Sequence, residues 1–464
     1  MQLMPVTESM FLAAETRDQP MHVGGLQLFI PRDGQEPADL AEEFYGRLLA
    51  TEQVAERFLQ RPADPAALVG YAAWQQVEKI DFEYHVRRTV LPRPGEVKDL
   101  LRYVSLQHGA LLDRSRPMWE VHLIEGLADG RLAVYTKVHH SVVDGVTALR
   151  MLQRMLSTDP NDRSGTVFWD PEIHQRRSAP APERGVIDTV TSSVSAAART
   201  AGDVLGIGPA AARVAATGLV NKDFVSPLGL APRSVLNGPI GSARRFAAQD
   251  WPTDRLRAVA QRHGVTVNDI VVAMSAGALR AYLAGIDALP DRSLTAMVPV
   301  SLHNEGSQSG NAVTAVLVRL ATDTADPAER LRVIGASTGQ AKTVVRGLAP
   351  VQQLALGAAT IWPLAFGLLP GLSRIAPQGF NVVISSVPGG QEPLYWNGAR
   401  LDGCYPVSIP VSGLAMNITV VSVGGVTGFG VIGDRDRLPH LQRMLEHLDE
   451  ELLALEKMDP LVAE

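Results

Sequence analysis

The chain has 464 residues, 46% of them hydrophobic and 20% charged, a composition that builds packed cores and excludes a disordered polymer. Its net charge of −6 excludes the basic footprint of a nucleic-acid binder, and its single cysteine, Cys404, excludes a disulfide framework or a cysteine zinc site. At roughly 100–200 residues per domain, the length calls for two or three units.

The opening, MQLMPVTESMF, has no basic stretch followed by an apolar run, so no secretory signal is read there and a cytoplasmic location is expected. Helical spacing of apolar residues predicts helices over 40–50 and 97–109. Residues 119–127 and 131–140 alternate like two strands around an Ala-Asp-Gly turn, which predicts a hairpin. Val146, Leu149, Leu152 and Leu156 then follow helical spacing. Residues 161–185 are polar, charged and Pro-rich and read as a linker, 186–220 as apolar helix, and 225–245 as a Pro/Gly-rich crossover. A second mixed unit follows from Phe246, with helices over 253–264 and 267–285 and strands over 294–302 and 312–320. Strands over 381–387, 415–425 and 426–434 and a helix over 438–456 complete it. Residues 347–373 carry no charge and are long enough for a membrane span, but Pro350, Pro363 and Pro370 break the run into short helices. They are expected to line a chain tunnel or touch lipid. The alternation of helices and strands in both halves predicts two α/β domains: 1–165, a linker and helical crossover over 166–245, and 246–464.

Chemistry concentrates in VHHSVVDGV, residues 138–146. His139 and His140 fall where a strand ends, and Asp144 falls at a helix start, where it caps the helix or pairs with an arginine. Gly145 lets the chain bend there. A metal reading needs a third or fourth ligand, and only His122, on the neighbouring predicted strand, is at hand. A general-base reading fits better, because an imidazole titrates near neutrality. Further on, Thr266 and Asp269 have the spacing of a helix-start capping box, which leaves Asn268 beside them unexplained by the cap. GASTG, residues 335–339, matches the nucleophile-elbow pattern, but it follows an amphipathic helical stretch rather than a buried strand, so Ser337 is read as structural.

HHSVVDG resembles the HHxxxDG signature of the CoA-dependent acyltransferase superfamily. The blocks at 10–29, 81–95, 111–127, 266–273, 297–301 and 385–408 resemble, in order, those of its bacterial wax ester synthase/diacylglycerol acyltransferase family. The family's Pro-Leu-Trp reads Pro117-Met118-Trp119 here, its early acid is Glu8, and Ser386 and Gly390 stand in its late Asn-Val-Pro-Gly-Pro block. The resemblance implies two chloramphenicol-acetyltransferase-like mixed α/β domains with the active site at their interface. It implies His140, His139, Asp144 and Asn268 as catalytic residues, His140 being the base, and Gly145, Asp269, Trp119 and Ser386 as substrate-binding residues. Long-chain acyl-CoA is then a substrate, diacylglycerol or a fatty alcohol the acceptor, and no metal or other cofactor is needed. Peripheral contact with a membrane or lipid droplet is expected. The rival readings are an acyltransferase for a polar or polyketide alcohol, a non-catalytic acyl-CoA or lipid binder, and a serine hydrolase at Ser337.

Overall fold

The computed structural model describes residues 2–51, 53–63, 73–175, 224–226, 229–302, 312–348 and 378–461, and the single positions 352, 353, 356 and 360. The apolar segment at 186–220 and most of 347–373, including Trp362 and Phe366, lie outside the described residues.

The first sheet takes strands β1 (His22–Ile30), β2 (Val86–Val90), β3 (Trp119–Glu125) and β4 (Leu132–His139) from the first half of the chain. Strands β3 and β4 form the expected antiparallel hairpin, with Gly126 and Gly130 at positive φ in the turn. The expected in–out alternation is absent: every residue from Trp119 to Ile124 is buried. The cause is a cover on each face. One face meets helix α2 (Pro37–Leu49) through Leu40, Phe44 and Leu48. The other meets helix α3 (Val97–Gly109) and the second half of the chain.

The second sheet is built from β5 (Arg244–Pro252), β6 (Thr295–Leu302), β7 (Ala312–Arg319), β8 (Val382–Val387), β11 (Met416–Val423) and β12 (Val426–Asp434), in the order β7-β6-β8-β11-β12-β5. Helices α5 (Thr253–His263), α6 (Val267–Ala284), α7 (Pro327–Arg346) and α8 (Arg443–Lys457) cover its outer face. Helix α6 is long and apolar enough to cross a membrane, but most of it is buried in this core. A buried Arg330–Glu451 ion pair at 2.6 Å ties α7 to α8.

Three boundaries differ from the sequence expectation. Strands β9 (Tyr395–Trp396) and β10 (Ala399–Val407) leave the second half and complete the first sheet, giving the order β9-β10-β1-β4-β3-β2, with Gly24 opposite Val407. The C-terminal segment is therefore not one closed unit. Residues 166–175, expected in a linker, belong to the first core: Trp169 is fully buried and its carbonyl accepts the Ala55 N–H at 2.7 Å. Within the expected crossover, Leu236 and Ile240 are buried in the second core, and the Asn237 amide donates to the Phe380 and Gly413 carbonyls.

Where β10 crosses, it lies flat on β12. A Cβ on Gly428 or Gly430 would collide with the carbonyl oxygens of Cys404 and Pro406. Absence of side chains at these two positions lets the backbones touch. The face around them joins the halves through Leu26, Tyr135, Phe246, Tyr405, Val407 and Ile432.

Candidate functional site

Strand β4 ends at His139, and helix α4 (Gly145–Met155) begins five residues on. Asp144 is its N-cap. One carboxylate oxygen accepts the Thr147 N–H at 2.8 Å, and the other accepts the Thr147 hydroxyl at 3.0 Å. Gly145 is exposed, its φ is not positive, and a Cβ there would meet nothing within 4 Å, so the turn itself does not require glycine.

His139 is fully buried. Its Nδ1 accepts the Ser141 N–H at 3.2 Å and lies 2.6 Å from the Ser141 hydroxyl, so in the neutral ring Nε2 carries the proton. That nitrogen faces Glu15 Oε1 at 3.5 Å. Glu15 also accepts the Met21 N–H at 3.0 Å and two Arg114 guanidinium N–H groups at 3.1 and 2.9 Å. Burial pushes the Glu15 carboxyl up, but His139, Met21 and Arg114 outweigh it and hold it below the usual carboxylate range. Across the sheet His139 is paired with His22, whose Nε2 donates to the His108 carbonyl at 2.8 Å. Burial, with the Lys137 charge, keeps the His22 and His108 rings neutral, His108 being pushed down to about 3.

His140 is half-buried and held from two sides. Its backbone N–H donates to the Met21 carbonyl at 2.8 Å. Its ring stacks on Phe11, of helix α1 (Val6–Ala14), with centroids 4.3 Å apart and planes 24° from parallel. Nδ1 is sealed from solvent with no partner among the described residues beyond its own backbone, which leaves Nε2 as the nitrogen a substrate can reach. Burial pushes the ring down to about 4, against a partial upward pull from the Asp144 charge, so it is a free base at neutral pH. Phe11 and Met21 in turn pack on Met297, Leu317 and Val383 of the second sheet, which places His140 beside the seam between the halves.

Helix α6 starts with the expected capping box. Asp269 Oδ2 accepts the Thr266 N–H at 3.0 Å and the Thr266 hydroxyl at 2.6 Å, while the Asp269 N–H donates to Thr266 Oγ1 at 3.2 Å. Asp269 is thus a helix-start acid, with Oδ1 buried and unpaired. Asn268 is half-buried, and its side chain makes no hydrogen bond to the described residues.

Two expected substrate contacts lie elsewhere. Trp119 is enclosed in the first core, donating its indole N–H to the Phe58 carbonyl at 3.0 Å and stacking on His85 at 4.3 Å, so it props the strand beneath His139 and is closed to substrate. Ser386 shares the pleat side of Val382 and Ile384, which face the outer helices. It sits near the end of β8, and its neighbour Ser385 takes the side facing the seam. His122 is occupied by Tyr103 and Glu120 on β3, away from His139. Ser337 is buried mid-helix in α7, accepting the Arg319 N–H at 3.1 Å, which rules out a nucleophile elbow. Glu15, Arg114, Phe11 and Met21 were missed in the sequence. The blocks at 10–29 and 111–127 contain all four, but the resemblance marks none of them individually.

The result is an accessible neutral imidazole at a strand end, with Ser141 occupied by His139 and Cys404 buried with its thiol pushed up to about 12. Such a site takes a proton from a hydroxyl and suits a transferase that passes an acyl group directly between two bound substrates. The wax ester synthase/diacylglycerol acyltransferase catalytic domain matches residues 4–271, and the C-terminal domain of the same family matches residues 309–456. A probable diacylglycerol O-acyltransferase of Mycobacterium tuberculosis is 45% identical over 459 residues, covering 98% of this chain and 99% of its own length. The O-acyltransferase WSD of Acinetobacter baylyi is 38% identical, covering 96% and 95%. The solved wax ester synthase/diacylglycerol acyltransferase of Marinobacter aquaeolei superposes with a TM-score of 0.77 at 41% identity, covering 98% and 99%. A condensation domain of the CDA synthetase, 16% identical with a TM-score of 0.53, shares the fold. The chain belongs to the wax ester synthase/diacylglycerol acyltransferase family and is an acyltransferase of two mixed α/β halves.

Proposed function

We propose that the protein moves a long-chain acyl group from acyl-CoA to the hydroxyl of diacylglycerol or a long-chain alcohol, with His140 as general base. His140 Nε2 takes the hydroxyl proton while the oxygen attacks the thioester carbonyl. The carbon–sulfur bond then breaks, and the imidazolium returns the proton to the departing thiolate. The products are an ester and free CoA. Asn268, unengaged at the start of α6, is the proposed donor to the tetrahedral oxyanion. Asp144 and Asp269 serve by fixing the two helix starts, and His139 by fixing the strand end. Acyl-CoA is a substrate, and the scheme uses no cofactor. The reading includes a cytoplasmic protein that works at a membrane or lipid-droplet surface.

The observation that carries this reading is the neutral His140 ring, clamped by Met21 and Phe11 with one nitrogen free. Thiol release from a long-chain acyl-CoA is expected to depend on added diacylglycerol or hexadecanol. His140→Ala is expected to lose about 10²–10⁴-fold of it. Equal rates in both proteins would remove His140 from the mechanism. Cofloating with diacylglycerol-containing vesicles tests the surface location, and protein left at the bottom of the gradient would refute it.

The pH profile follows from the same ring. A base whose pKa is lowered to about 4 stays deprotonated well below neutrality. The acid limb of kcat/KM is therefore expected well below the roughly 6.5 of an ordinary histidine. A limb centred at the ordinary value would mean that the ring is solvated when it works.

A further inference from the structure

The inner face of the second sheet carries a short polar strip on β11. On β11 the residues Met416, Ile418 and Val420 turn outward to the helices. Asn417, Thr419, Val421 and Val423 turn inward, and Val421 and Val423 are packed into the first half's core. Asn417 is buried, 8% exposed. Its neighbours in the sheet are Val383 on β8 and Ile432 on β12. Val383 packs in the cluster that holds Phe11 and Met21, the two residues clamping His140. Ile432 packs in the cluster that holds Leu26, Tyr135 and Val407. Asn417 is therefore set into the seam between two apolar clusters, one of which carries the stacking partner of the His140 ring.

A carboxamide in such surroundings is costly unless its hydrogen bonds are made. Half of them are. Thr419 Oγ1 donates to Asn417 Oδ1 at 2.7 Å, which fixes the plane of the amide. The Nδ2 donor has no partner among the described residues, and it is not sealed from solvent. An oriented donor, unpaired among the described residues and open in the seam, suits an oxygen that arrives with the substrate.

We propose that Asn417 is a further catalytic residue, its Nδ2 donating to the carbonyl oxygen of the acyl group in transfer, with Thr419 as its positioning residue. This rests on the acyltransfer reading given above. The chemistry asks for such a donor, because negative charge gathers on that oxygen as the hydroxyl adds and leaves it again as the thiolate departs. Together with Asn268, the donor proposed above, it would give the oxyanion two amides. The bond strengthens in the transition state, so its loss appears in kcat more than in KM.

The test compares wild type, His140→Ala, Asn417→Leu, Asn417→Asp and Thr419→Val in acceptor-dependent thiol release, with palmitoyl-CoA and either dioleoylglycerol or hexadecanol. Thermal melts are run on every variant. Leu at 417 puts a side chain of similar size on an apolar face, so that protein is expected to melt no lower than wild type. It is expected to lose about 10²-fold in kcat for both acceptors with little change in KM. Asn417→Asp loses at least as much, because a carboxylate faces the oxyanion, and Thr419→Val loses less. A folded Asn417→Leu protein with wild-type kcat overturns the proposal, as does a loss confined to KM. A loss seen only with dioleoylglycerol overturns it too and reassigns the amide to an ester carbonyl of the acceptor. A His140→Ala protein as active as wild type removes the base from the mechanism while the Asn417 comparison still stands. Wild-type protein without acceptor-dependent release overturns both readings.

Discussion

Glu15→Ala is expected to abolish acyl transfer and to lower the melting temperature in the same protein. Four groups converge on that carboxylate: the His139 ring at 3.5 Å, the Met21 N–H at 3.0 Å and two guanidinium N–H groups of Arg114. Removing it strands a buried N–H and takes two hydrogen bonds from Arg114. Breaking a buried ion pair from one side costs about 3–5 kcal/mol. The catalytic loss has a separate route. Met21 is anchored by Glu15 and anchors the His140 backbone through its own carbonyl, so the base loses its register when the carboxylate goes. Glu15→Gln separates the two effects: it keeps an acceptor for Met21 but gives up the charge that holds Arg114. The measurements are urea midpoints beside kcat. A Glu15→Ala protein as stable and active as wild type would refute the role given to this node. The pH dependence has a definite sign. The folded-state pKa of Glu15 lies below its unfolded value, so its contribution is full above the ordinary carboxylate range and is lost as pH falls through the depressed value.

Gly430→Ala is expected to damage the whole assembly while touching no reacting group. The added methyl would occupy the position of the Pro406 carbonyl oxygen, and backbone cannot swing aside as a side-chain tip can. Strand β10 would have to lift from β12, and with it the Tyr405, Val407 and Ile432 contacts that join the halves. Overpacking costs roughly 1–3 kcal/mol where side chains can adjust, and a backbone collision belongs at or above the upper end. Denaturant midpoints and limited proteolysis check this. A variant that melts with wild type would mean that the strands are not in contact at this position.

Much of the architecture is legible where one local rule governs. Helix α3 runs over the residues that its apolar spacing marks, and it begins with a Glu96–Asp99 capping box. The start of α6 follows from the Thr266–Asp269 box, and the β3–β4 hairpin from its turn. Legibility stops where contacts distant in sequence decide. Strand β10 reads Ala-Arg-Leu-Asp-Gly-Cys-Tyr-Pro-Val, with turn-forming residues inside it, and only its partners β1 and β12 make it a strand. Asp, Arg and Pro around Trp169 suggest a linker, yet the indole is buried against Phe82 and Trp119. Ser386 against Ser385 is a matter of one step in a period of two, which a motif does not record. Within the site, the strand-end histidine and the two helix-start acids are local features and were found. Glu15 and Arg114 meet only after α1 and the end of α3 have docked, and no spacing in the sequence announces that.

The crossing of β10 also orders events during synthesis. Strand β1 leaves the ribosome early, with its hairpin partners on one edge and nothing on the other. The strand that covers the open edge emerges roughly 400 residues later, a wait of tens of seconds at about 5–20 residues per second. Throughout that wait the nascent chain carries a long unpaired edge next to an apolar face, the kind of template on which chains misassociate. The first half cannot mature ahead of the second, so His140 and the seam beside it take their final form only in a chain that is nearly finished.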